Sequence, residues 1–116
     1  SFLNTAGDSY IAYLWASATG ICDIGSYRGI NGEQDIDCGF TNGARFVLIK
    51  RTDASGDWMY FDTLRGISST DSPMLKLNEK DAQATGSYIK PHPSGFTVTP
   101  NLTGTDGGDY VYMAIA

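Results

Sequence analysis

The chain has 116 residues with a formal net charge of −5; glycine (14) and tyrosine (7) stand out over a charged fraction of only 18%. A single domain of this size buries about two thirds of the surface that its unfolded chain exposes, enough for a core. The eight basic residues are scattered, which leaves no electrostatic footprint for nucleic acid, and no apolar run approaches the ~18 residues of a membrane helix, nor does a charged-then-apolar leader open the sequence.

In chain order, Ser1–Asp8 is a polar approach ending in a turn at Gly7-Asp8. Ser9–Ala16 (SYIAYLWA) is short, apolar and aromatic, and predicts a strand. Ile21–Tyr27 and Asp35–Phe40 read as the next two strands, joined by a turn in which Asn31-Gly32 tolerates positive φ. Thr41-Asn42-Gly43 turns the chain into a central hairpin, Phe46–Ile49 and Trp58–Phe61 about a Gly-containing loop. Both faces of that hairpin are bulky and apolar, as expected of inner strands of a sandwich. Gly66–Pro73 reads as a surface loop, Met74–Leu77 as a short strand, and Asn78–Gly86 as a polar stretch with room for a helical turn at Glu79–Ala84. Pro91 and Pro93 place Ser87–Pro93 at a sheet edge or outside the sheet. Gly95–Thr99 alternates cleanly with Phe96 and Val98 inward, Pro100–Gly108 is a loop, and Asp109–Ala116 is a closing strand. The fold class expected is all-β, an antiparallel β-sandwich of jelly-roll type spanning 1–116, with Trp58, Phe46, Phe61 and Phe96 as structural residues.

The closing strand repeats the first: Asp8–Ala16 and Gly108–Ala116 share a Gly/Asp approach, a Tyr-led apolar run and an Ala ending. Either the two occupy equivalent places in one sandwich, or residues 1–16 are the closing strand of an upstream repeat and bridge consecutive modules of a longer protein. Cys22 and Cys38 flank the Gly29–Gly32 turn at similar distances, which leaves two outcomes: a cross-strand disulfide closing a loop of about 15 residues, worth ~3 kcal/mol, or two buried free thiols.

The candidates for chemistry are few. His92, the only histidine, lies in a proline-rich K-P-H-P segment with no nucleophile at a recognisable spacing, and Asp57, Asp62 and Asp71 read as turn carboxylates; together they point away from an enzyme. Asp53, Ser55 and Asp57, and the loop Asn101–Asp109, gather oxygen atoms that calcium would accept, but the first cluster lacks the length and the Glu of a calcium loop and reads better as an Asx-type hairpin tip. One His and two Cys fall short of a structural zinc site, so no cofactor is expected. Lys50 or Arg65 is expected to pair with Asp62, the alternative being a polar-aromatic receptor patch. The tyrosines and tryptophans exceed what a core of this size needs and suit an interface or a ligand platform. Tyr27, Arg28 and Asn31 at one hairpin tip, with Tyr88 and His92 near the prolines, are the candidate ligand-binding residues.

Gly25–Gly29 (GSYxG), Cys38–Asp53 (CGFxxxxRFVLIKRTD), Gly56–Asp62 (GDWMYFD) with Arg65, and Gly95–Val98 followed by DYVYMAIA resemble an uncharacterised repeat domain of tail fibres and other virion proteins of tailed bacteriophages, notably marine ones. The likeness runs from about Ser9 to Ala116 and carries no catalytic residues with it. It implies a non-enzymatic virion module, outside the cell after host lysis. Such a module would self-associate, a homotrimer being one form, pack with other virion proteins, and attach to a bacterial surface glycan or protein through loop-tip polar and aromatic residues. The alternatives are a purely structural module, such as a capsid decoration or fibre shaft, and a secreted carbohydrate-binding module.

Overall fold

The computed structural model describes residues 5–103 and 107–116. Eight strands and one helical turn follow one another: β1 (Cys22–Arg28), β2 (Gln34–Asp37), β3 (Phe46–Arg51), β4 (Trp58–Asp62), β5 (Leu75–Lys76), β6 (Ile89–His92), β7 (Gly95–Val98), α1 (Pro100–Thr103) and β8 (Asp109–Ile115). They form two antiparallel sheets, a large one in the order β1-β8-β3-β4-β5 and a small one in the order β2-β7-β6. The domain is therefore all-β, in an arrangement consistent with a β-sandwich.

Alternation decides which side chains fill the space between the sheets. From the large sheet come Val47 and Ile49 of β3, Phe61 of β4, and Tyr110, Tyr112 and Ala114 of β8; from the small sheet come Ile36, Ile89, Phe96 and Val98. Phe96 meets Tyr112 edge-on, ring centres 5.5 Å apart, joining one layer to the other. β8 lies between β1 and β3, with Cys22 opposite Ile115 and Phe46 opposite the same residue on the other side. Pro91 sits in β6, an edge strand of the small sheet, where a missing N–H costs no ladder bond.

Several expectations are corrected. Ser9–Ala16 is not a strand: it carries no ladder and lies exposed. Asn78–Gly86 holds no helical turn; Ala84 bridges back to Met74. Pro100–Gly108 begins with the single turn α1 rather than as open loop. β2 is shorter than the expected Asp35–Phe40, because the Cys38 and Phe40 amides leave the ladder and donate to the Ser94 carbonyl at 2.8 and 3.1 Å. Cys22 and Cys38 are not cross-strand partners. Cys22 opens β1 in the large sheet and Cys38 follows β2 of the small sheet, and both are free thiols. Residues 1–4 of the polar approach and 104–106 of the Asn101–Asp109 calcium candidate lie outside the described residues.

Candidate functional site

The large sheet has two faces and the small sheet covers one of them. Because β3, β4 and β8 are apolar on both sides, the face turned away from the core remains apolar: Ile24, Phe46, Leu48, Trp58, Val111 and Met113. Trp58 is 44% exposed and Val111 39%, so Trp58 belongs to this outer face rather than to the core, and Phe46 is half-buried there against the edge of the Tyr60 ring at 5.2 Å. Arg65 anchors the rim, 3.4 Å from Asp62 and over the Tyr60 ring, whereas Lys50 donates to the Arg51 carbonyl at 2.8 Å instead of pairing with Asp62.

The N-terminal arm runs beside this face. Its inner end is pinned to β1: Ala18 bridges to Cys22, and the Ile24 N–H donates to Ser17 Oγ at 3.0 Å. Tyr13, Leu14 and Trp15 then line, together with Ile24, Leu48, Lys50, Trp58 and Val111, an apolar groove of about 320 Å³. Tyr13 and Trp15 stack at 5.9 Å, yet they stay 75% and 61% exposed, and Leu14 is 92% exposed.

The five expected ligand residues do not gather into one site. Tyr27 is not at a tip but in the core, 8% exposed and stacked on Tyr110 at 5.2 Å. Among the described residues its hydroxyl has no hydrogen-bond partner, and burial, followed by the neighbouring Tyr110, pushes its pKa well up. Tyr88 is half-buried with its ring tilted against Phe61. Arg28 and Asn31 are exposed where β1 leaves the large sheet, and the Arg28 guanidinium approaches Asp109 at 3.9 Å. His92 is at the β6–β7 hairpin, lining a second crevice of about 420 Å³ with Thr41, Asn42 and Arg45.

Ser94, which sequence reading passed over, completes a local Ser–His–Asp group. Its hydroxyl is 2.9 Å from His92 Nδ1, and His92 Nε2 is 3.6 Å from Asp35 Oδ2. Since Nδ1 also accepts the Ser94 N–H at 3.3 Å, the ring proton belongs on Nε2, facing Asp35. The arrangement closes a four-residue turn: the two amides that converge on Ser94, from Cys38 and Phe40, are spent on its carbonyl rather than aimed beside its hydroxyl. No metal site emerges at the central hairpin either. Asp53 is held by Arg51 at 2.7 Å, and Asp57 by Lys76 and Asn78, each at 3.0 Å; among the described residues no three metal-binding side chains converge. These carboxylates are committed to cations of the chain itself and do not fit calcium.

Cys38 is buried, its Sγ 3.8 Å from the Ile36 carbonyl; burial first and then the charge of Asp23 push its thiol up to about 12. Cys22 is half-buried on the outer side and lies 3.4 Å from the Ala16 carbonyl.

Residues 1–116 match the model of a family described as a domain of unknown function, DUF7483. The chain belongs to that family. No curated protein and no solved structure matches it. The match spans the given residues, and the apolar outer face with its arm is the most extended exposed apolar feature among the described residues.

Proposed function

We propose that this chain is a non-enzymatic assembly module of a tailed-phage virion protein. It is a jelly-roll-like antiparallel sandwich, carried in a tail fibre or tail-associated structure outside the cell, that packs against copies of itself and neighbouring virion proteins. One observation carries the assembly reading: most of the large exposed apolar side chains lie on one sheet face and an adjoining arm, the geometry of a protein interface, with Ile21, Ile30, Leu64 and Leu77 exposed on turns and loops. The virion setting is supported by the resemblance of the GSYxG, RFVLIKRTD and GDWMYFD segments. Host-surface attachment is the second reading, favoured by the exposed pair Arg28 and Asn31 at one end of the domain.

Two measurements separate them. Peptides of this chain are expected in gradient-purified virions of the phage that encodes it, and their absence from virions would sink the virion setting. In the assembly reading, excess soluble chain leaves phage adsorption to host cells unchanged. Competition that is lost in an Arg28→Ala, Asn31→Ala variant would instead establish attachment.

A further inference from the structure

We propose that two copies of this chain associate through the outer face of the large sheet, the arm Tyr10–Ala16 of each copy lying across the sheet of the other. This deepens the assembly reading above and rests on it only for its setting. The arm's seven residues reach roughly 23 Å when extended, at ~3.3 Å per residue. Five strands at ~4.8 Å spacing are about 19 Å across, so the arm spans the sheet from edge to edge. In the structure Tyr13, Leu14 and Trp15 border one groove with Ile24 of β1, Val111 of β8, Leu48 of β3 and Trp58 of β4.

What it does there is incomplete. Ile11 is 84% and Leu14 92% exposed, and Ile24, Trp58, Val111 and Ile115 remain between 36% and 44% exposed alongside. The arm therefore offers apolar side chains that its own sheet does not bury, and the sheet offers a groove that its own arm does not fill. A surface holding both the knob and the groove is self-complementary, which is what a two-fold contact between identical chains requires. The exposed side chains of arm and face together come to on the order of 1,000 Å² per chain, against the ~800 Å² that each partner gives to an interface of standard size. Lys50 is the one ionisable side chain in the groove other than the tyrosines, and it stands at the rim with its ammonium on the Arg51 carbonyl, so a second copy brings no buried unpaired carboxylate against it.

The arm's sequence supports its role as a sheet-covering segment. Ile11, Tyr13 and Trp15 occupy the parity of Val111, Met113 and Ile115 in the matching β8 run, the residues that form the outer face. The same chemistry thus appears on both sides of the proposed contact.

The test is the mass of the full-length chain in solution, from micromolar to submillimolar concentration, for the wild type, an arm variant (Leu14→Asp with Trp15→Asp) and a face variant (Val111→Asp). Leu14 and Trp15 are largely exposed in the single chain, so the arm variant is expected to melt close to wild type; Val111 is 39% exposed in an inner strand, so the face variant is expected to melt lower and is compared at a temperature where it remains folded. The wild type is expected to dimerise, and each variant to weaken dimerisation on the order of 100-fold. Mixing the two variants restores one intact arm-on-face contact and is expected to recover a heterodimer in which the arm comes from the face variant. A wild type that stays monomeric at submillimolar concentration overturns the contact, and so does an assembly of any size that persists in both variants. In the second case the chain still assembles, and the broader assembly reading survives the loss of this contact.

Discussion

Gly95 leaves no room for a side chain: a Cβ there would stand 2.1 Å from the Ile36 carbonyl oxygen and 2.9 Å from Cys38 Sγ. The obstruction is backbone of the paired strand, which cannot swing aside as a flexible side chain would, so Gly95→Ala is expected to cost about 3 kcal/mol by denaturant unfolding. Ser72 is fully buried and joins the loop after β4 to the start of β6; its hydroxyl donates to the Gly86 carbonyl and accepts the Tyr88 and Ile89 N–H groups at 2.8 and 2.9 Å. Removing it strands two buried donors, and Ser72→Ala should lose about 2 kcal/mol. Tyr27→Phe works in the other direction, because the hydroxyl it deletes is buried without a partner; a gain of about 1 kcal/mol is expected, and a loss would mean that the hydroxyl is satisfied in solution. The cysteines give a fourth measurement. With its thiol held at about 12, Cys38 should resist alkylation at neutral pH until the protein unfolds, while half-buried Cys22 reacts in the folded state; a reagent that labels both at one rate would contradict the burial of Cys38.

At the scale of elements, the junction of β4 and β5 is tied by charge as much as by ladder. Asp57 accepts from Asn78 and Lys76, and Asn78 in turn accepts the Trp58 N–H at 2.9 Å, so the two-residue β5 is held at the sheet edge by side chains. The Asn78 hydrogen bond, then Lys76, holds Asp57 below its ordinary 3.8. At Asp62 burial pulls upward, but the Tyr60 hydroxyl and the Arg65 amide outweigh it and the net shift is also downward. Carboxylates lowered in the folded state stabilise it above their ordinary pKa and cease to do so as the pH falls through their folded values. Melting temperature should therefore be flat from neutral pH to about 5 and fall below about 4, and Asn78→Ala should lower it at neutral pH while making that acid fall shallower. Lys76, raised by Asp57, acts in reverse: its contribution is complete below its ordinary 10.5 and disappears as the pH rises through the folded value.

The same elements show what local pattern can and cannot reveal. The β3–β4 hairpin was legible because aromatic and branched runs flank a Gly-bearing loop within one short stretch, and β7 because Phe96 and Val98 alternate with threonines. The arm was misread because strand propensity says that a segment fits a pleated surface, not that a neighbouring strand is present to receive it. Its alternation is as good as that of β8; only the long-range pairing of β8 to β1 and β3 separates them. The candidate site was half visible. Apolar residues on both faces of β3 and β4 marked them as inner strands, but whether a layer covers each face is a non-local property, and the second sheet covers only one of them. Tyr27 was misplaced for a related reason: it ends the apparent strand next to a turn, where only the stacking with Tyr110 reveals it to be core.

For the whole molecule, the decisive feature is the place of β8. The eighth strand lies inside the large sheet, bonded to β1 some ninety positions earlier and to β3 on its other side. Before Asp109–Ile115 leaves the ribosome, β1 has no neighbour in that sheet and β3 has only β4, so nothing that resembles the finished layer can exist on the nascent chain. Folding of this domain consequently waits until β8 has emerged. Ribosome-bound chains halted before residue 109 should be cut by protease throughout β1–β4, and chains released with β8 exposed should become resistant in one step.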